Sequence, residues 1–185
     1  VLVYRILIVM ILLSLSRIGF YVFNSRMFPD MTISQFLNIM RGGLLFDLSA
    51  TVYINSLYIL FQTIPFDFRY NKLYQRILGY LFFVTNGLAL FANGADYLYY
   101  RFVLKRATAD VFQTFGNEDN LVKLFFKFQI DYWPATLFTF FLIFLMVFLY
   151  RKMKPEKPLV KNRILYHAVN VVLVPVIAGL VIIAA

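Results

Sequence analysis

Asn86-Gly-Leu-Ala-Leu-Phe-Ala-Asn-Gly-Ala-Asp-Tyr-Leu-Tyr-Tyr-Arg-Phe-Val-Leu-Lys-Arg-Ala-Thr-Ala-Asp110 is the stretch whose reading decides the fold. An apolar run is broken by Asn86, Asn93 and Asp96 and closes on Tyr99, Tyr100, Arg101, Lys105 and Arg106. A carboxylate and two amides inside a hydrophobic segment are costly in lipid unless they face other helices or water. The run therefore reads as a membrane helix that carries a candidate functional site.

The whole chain supports that reading. Of its 185 residues 62% are hydrophobic, 19% aromatic and only 15% charged, against about 25% charged in an average soluble domain. A helix crosses a bilayer with about 20 apolar residues, and the segments 3–23, 43–64, 77–97, 133–150 and 164–185 meet that length. Outer-membrane strands would alternate over about 10 residues instead of running continuously. The expected fold is an all-α membrane protein, residues 1–185 forming one domain of five transmembrane helices. The net charge of +9 does not indicate nucleic acid, because the basic residues lie between spans, where they set orientation and meet anionic lipid. The absence of cysteine excludes disulfides and thiolate metal sites. Arg5 before an apolar run imitates a signal peptide, but no small-residue cleavage pattern precedes Arg26, so a retained anchor is expected. The chain opens at Val1 and stops at Ala185 inside an apolar run, as expected of an N-terminal fragment.

Spacing then assigns faces. Ser14, Arg17, Tyr21 and Asn24 share one face of the first span and should look at protein. Arg17 either snorkels to the interface or pairs with a carboxylate of span two or three. Thr32 and Gln35 form a capping-box pattern ahead of Ile33, Phe36, Leu37 and Met40, which predicts a short amphipathic helix ended by Gly42 and Gly43. Asp47, Thr51, Asn55, Tyr58 and Gln62 line one stripe of span two, a pattern that a helix facing lipid would not keep. Span three places Asn86, Asn93 and Tyr100 seven residues apart beside Gly79, Gly87 and Gly94, as close packing requires. Residues 102–132 are too polar to cross. There Gly116 separates two helical patterns, the second with Leu121, Leu124, Phe125, Phe128 and Tyr132 on one face, which suits the membrane interface. Span four, between the anchors Trp133 and Tyr150, should face lipid broadly. His167, without a paired carboxylate, reads as a packed residue instead of a proton relay.

Arg69, Lys72 and Arg76 in one short loop, and six basic residues within 151–163, place both loops and the N-terminus in the cytoplasm by the positive-inside rule. The C-terminus and both amphipathic regions then lie outside. Arg41, Asp47, Asp96, Arg101, Lys105 and Arg106 gather near the outer leaflet, helices two and three turning their carboxylates toward each other. Such a set suits an anionic or zwitterionic lipid headgroup. The alternative is a pair of structural staples, Arg41 with Asp47 and Asp96 with Arg101. No catalytic triad, metal-binding His cluster or phosphate-binding glycine loop is present in the sequence.

Arg41-Gly-Gly-Leu-Leu-Phe-Asp-Leu-Ser-Ala50, Asn93-Gly-Ala-Asp-Tyr-Leu-Tyr-Tyr-Arg-Phe102 and Lys105-Arg-Ala-Thr-Ala-Asp110 resemble the membrane domain of the lipoteichoic acid synthase and phosphoglycerol transferase family. The version resembled is that of Gram-negative bacteria of the Bacteroides group. The resemblance covers essentially the whole chain. It implies an inner-membrane anchor with five spans, a linker lying on the membrane, and a downstream outer catalytic domain of the alkaline phosphatase and sulfatase superfamily. Transfer of a phosphoglycerol or related group would use a threonine nucleophile and a divalent metal (manganese, magnesium or zinc), all on that downstream domain. No cofactor is expected in this chain, whose partners would be membrane lipids and its own catalytic domain. Asp47, Asp96, Arg101, Lys105 and Arg106 match the family's membrane motifs. Relatives also carry phosphoethanolamine transfer and sulfatase-like hydrolysis on the same scaffold. The rivals are a self-contained transporter or lipid flippase and a passive anchor. A transporter should show a broken helix and polar groups converging at mid-membrane.

Overall fold

The computed structural model describes residues 1–63, 67–105, 127, 130–153 and the single positions 164, 165, 168, 169, 171, 172, 175, 176 and 179. The five α-helices with defined bounds are α1 (Leu2–Phe23), α2 (Ile33–Ile54), α3 (Ser56–Thr63), α4 (Lys72–Val103) and α5 (Trp133–Lys152). No strand occurs among the described residues. Three helical stretches, Leu2–Met27, Lys72–Arg101 and Trp133–Lys152, are long and apolar enough to cross a membrane, and α2 with α3 makes a fourth if that bent pair is one span. The fifth predicted span and the second amphipathic region lie, apart from isolated positions, outside the described residues.

Helix α1 and helix α4, which carries the stretch from Asn86 onward, are the two most connected elements of the bundle, and α1 meets three neighbours. It packs to similar extents against α2, α4 and α5, while α4 and α5 pack on each other and α2 touches α4 sparsely. The sequence explains why α1 can serve three neighbours. Arg5, Ile8, Val9, Leu12, Leu13, Ser16 and Gly19 are buried at spacings of three, one, three, one, three and three. Val3, Leu7, Ile11, Leu15, Ile18 and Val22 remain as one exposed, wholly apolar seam. The same division recurs in α5, where Ala135, Thr139, Leu142, Met146 and Tyr150 are buried and Leu137, Phe140, Phe144 and Phe148 are exposed. Exposed stripes without a polar residue suit hydrocarbon surroundings. Burial of apolar side chains between helices gains little in lipid, so register must come from close packing and buried polar groups.

Two expectations about α2 are corrected. Thr32 and Gln35 do form the capping box, with Thr32 Oγ1 accepting from Gln35 N and Gln35 Oε1 accepting from Thr32 N. The helix they start does not stop at Gly42 and Gly43 but continues to Ile54. Neither glycine adopts a positive φ, and Gly43 is needed for space: a Cβ there would come within 2.5 Å of Arg17 Cζ. Span two is also not one straight helix, since α2 and α3 meet at Asn55 with a bend of 61°. Periodicity alone misses the break because Thr51, Asn55 and Tyr58 stay on one helical face through it.

Helix α4 begins five residues before its predicted start, at Lys72, where Asn71 Oδ1 caps the backbone N–H of Leu73. It ends where Leu104 takes a left-handed conformation, φ 55°. Its 32 residues rise about 48 Å, more than the roughly 30 Å of hydrocarbon. Both ends therefore reach headgroup depth in any bilayer-spanning arrangement.

Candidate functional site

Three of the predicted headgroup residues, Asp47, Asp96 and Arg101, are held by or buried among the helices, while Arg41 and Lys105 are exposed. Asp47 turns to α1: its Oδ1 accepts from Arg17 Nη2 at 2.5 Å and its Oδ2 from Ser14 Oγ at 3.1 Å. Arg17 Nη2 also donates to the Gly43 carbonyl at 3.3 Å. Arg17 is thus an ion-pair partner, the sharper of its two readings, and the staple expected between Arg41 and Asp47 gives way to it. Both Asp47 oxygens are engaged by α1. Arg17 lay outside the predicted site although its face, with Ser14, was legible from spacing.

Asp96 is buried beside Tyr97 at the far end of α4. Tyr97 Oη donates to the Ser16 carbonyl at 3.1 Å and lies 2.6 Å from Ser16 Oγ, while Asn24 Nδ2 donates to the Tyr97 carbonyl at 3.2 Å. Arg101 donates Nη2 to the Phe23 carbonyl and sets its guanidinium 4.8 Å over the Tyr132 ring. It joins the end of α1 to the start of α5. Lys105 is exposed just past α4, and Arg41 is exposed on α2. Because Phe36 meets Tyr21 and Gly43 meets Arg17, Arg41 lies between those levels, in the same third of the bundle. Arg106 lies outside the described residues.

That end of the bundle also holds an open cavity of about 610 Å³ lined by Met27, Phe28, Pro29, Asp30, Met31, Gln35, Asn38 and Ile39. Its floor is fixed by aromatic contacts: Phe28 stacks on Tyr100 at 5.6 Å and packs on Tyr21 at 6.2 Å. Its lining mixes apolar side chains (Met27, Phe28, Met31, Ile39) with a carboxylate and two amides (Asp30, Gln35, Asn38). A groove with both characters can hold a glycerol-like headgroup and the first part of an acyl chain. The sequence pointed to this segment only as a capped amphipathic helix.

The middle of the bundle is closed by a different device. Asn55 Nδ2 donates to Asn86 Oδ1 and Asn86 Nδ2 to Asn55 Oδ1, both at 2.8 Å. The second hydrogen of each amide goes back to its own helix, to the Thr51 carbonyl at 2.9 Å and the Phe82 carbonyl at 2.8 Å. Both residues are 0% exposed, so the pair is a satisfied clamp at the α2–α3 bend. Asn93, placed on the same stripe as Asn86, bonds the carbonyl of Ala89 in its own helix at 2.9 Å.

Among the described residues no group of three or more His, Cys, Asp or Glu could hold a metal ion. No family model, curated protein or solved structure matches this chain.

Proposed function

We propose that this chain is the membrane domain of an envelope phosphotransferase of the phosphoglycerol transferase kind, which anchors an outer catalytic domain and presents its lipid donor. On this reading the N-terminus is cytoplasmic, the C-terminus lies outside the inner membrane, and the divalent metal belongs to the downstream domain. The observation that carries it is the groove from Met27 to Ile39, with its mixed apolar and polar lining, at the end of the bundle that bears Arg41, Arg101 and Lys105. Arg41 has the role of meeting the lipid phosphate, which guanidinium geometry suits. Asp47 and Arg17 neutralise each other and hold α2 in place, so they support the groove from below.

The test is release of diacylglycerol from phosphatidylglycerol vesicles by the complete protein. R41A should raise KM for the lipid about tenfold, the equivalent of one charge-assisted hydrogen bond, with kcat little changed. An unaltered KM in a folded R41A protein overturns the headgroup role and leaves a passive anchor.

A self-contained transporter has one observation in its favour, the 61° break at Asn55 beside Asn86. Its amides are already satisfied by each other and by their own helices. That leaves them no spare donor for a solute, and the lipid-presenting reading is preferred.

A further inference from the structure

Arg5 is buried to 3% exposure, and among the described residues no carboxylate pairs with it. Its Nη1 donates to Tyr58 Oη at 2.6 Å, its Nη2 to the Met153 carbonyl at 3.0 Å, and its guanidinium lies 3.8 Å over the Tyr150 ring. None of these partners carries a charge. An isolated cation removed from water is costly, and chains normally bury one only with a counter-charge.

The surrounding groups are donors in excess. Arg5 Nε and Tyr150 Oη are both buried without a hydrogen-bond partner. The Tyr150 hydroxyl adjoins that of Tyr58. One positive charge, the Arg5 Nε–H and the Tyr150 O–H meet there with no carboxylate to receive them among the described residues. The same end of the bundle exposes Lys72, Arg76, Arg151 and Lys152, a field that draws anions.

We propose that Arg5, Tyr58 and Tyr150 form a phosphate-binding site at the basic end of the bundle, opposite the groove and independent of it. The occupant is a phosphate group, either of an anionic phospholipid or free. Helix α3, which sets Tyr58 over Arg5 and joins α2 through the bend at Asn55, is the element that gives way to admit it.

Native mass spectrometry of the protein released from mixed phosphatidylglycerol and phosphatidylcholine nanodiscs reads the lipid source. Thermal unfolding in phosphatidylcholine nanodiscs with added inorganic phosphate reads the free one. The decisive variant is Tyr150→Phe, which keeps the ring over Arg5 and removes only the hydroxyl. The wild type should retain phosphatidylglycerol, or be stabilised by phosphate, and Y150F should weaken that binding about tenfold, with Arg5→Gln abolishing it. R41A should leave it unchanged, which separates this site from the groove. If Y150F matches the wild type with both probes, Arg5 is only a structural clamp and the proposal is overturned, whether or not R5Q folds.

Discussion

Arg17 and Asp47, 30 residues apart in sequence, meet at 2.5 Å across the α1–α2 interface, and the contact exists because residue 43 has no side chain. The Arg17 guanidinium lies where a Cβ of residue 43 would stand and donates to that residue's carbonyl. The pair is largely shielded, with side-chain exposures of 22% and 8%, so it fixes the register of α2 on α1.

Removing one partner should therefore cost more than removing both. Asp47→Leu leaves the Arg17 charge uncompensated and should destabilise the protein by about 3–5 kcal/mol, whereas R17M with D47L should recover most of that loss. Thermal unfolding of the wild type and the two variants in one detergent checks this, and a double variant no better than D47L contradicts it.

The adjacent glycines should separate cleanly. Gly43→Ala places a methyl on the Arg17 guanidinium and should approach the effect of losing the ion pair, while Gly42→Ala meets nothing within 4 Å and should be neutral or stabilising by up to about 1 kcal/mol through helix propensity. Equal melting temperatures for G42A and G43A would show that Arg17 moves aside without loss.

A second glycine pair tests the α4–α5 seam. A Cβ on Gly94 would collide with the Thr139 side chain, which itself donates to the Ala135 carbonyl at 3.0 Å, whereas one on Gly87 meets nothing within 4 Å. G94A should cost about 1–3 kcal/mol through overpacking, and G87A should not. The same unfolding assay reads both.

Asn55 and Asn86 should behave as a unit. Replacing either by Leu strands the other amide in the bundle, and a double-mutant cycle should return a coupling of about 1 kcal/mol. Additive losses would mean that each amide serves only its own helix.

Much of this arrangement was legible in the sequence. Every polar residue of the stripe from Asp47 to Gln62 meets protein: Asp47 meets Arg17, Thr51 its own helix, Asn55 Asn86, Tyr58 Arg5, and Gln62 Gln75. Ser14, Arg17, Tyr21 and Asn24 likewise face neighbours. Periodicity fixes which face is buried but not against which helix, so it offers Arg41 as one possible staple for Asp47, whose ion-pair partner Arg17 lies on α1. Gly42-Gly43 carries the local pattern of a helix stop, yet tertiary packing of Arg17 needs a helical glycine there. Arg5 was read as a charge flanking an anchor, although it lies three and four residues before Ile8 and Val9 on the buried face. That spacing was the signal for its burial.

The most direct measurement is photo-crosslinking from the groove. A photoreactive residue at Ile39 and a control at Phe144, exposed on α5, are compared in vesicles of equal phosphatidylglycerol and phosphatidylcholine. The account predicts that Ile39 captures phosphatidylglycerol in clear excess over the ratio captured at Phe144, and that R41A removes the excess. The same lipid ratio at both positions would contradict it.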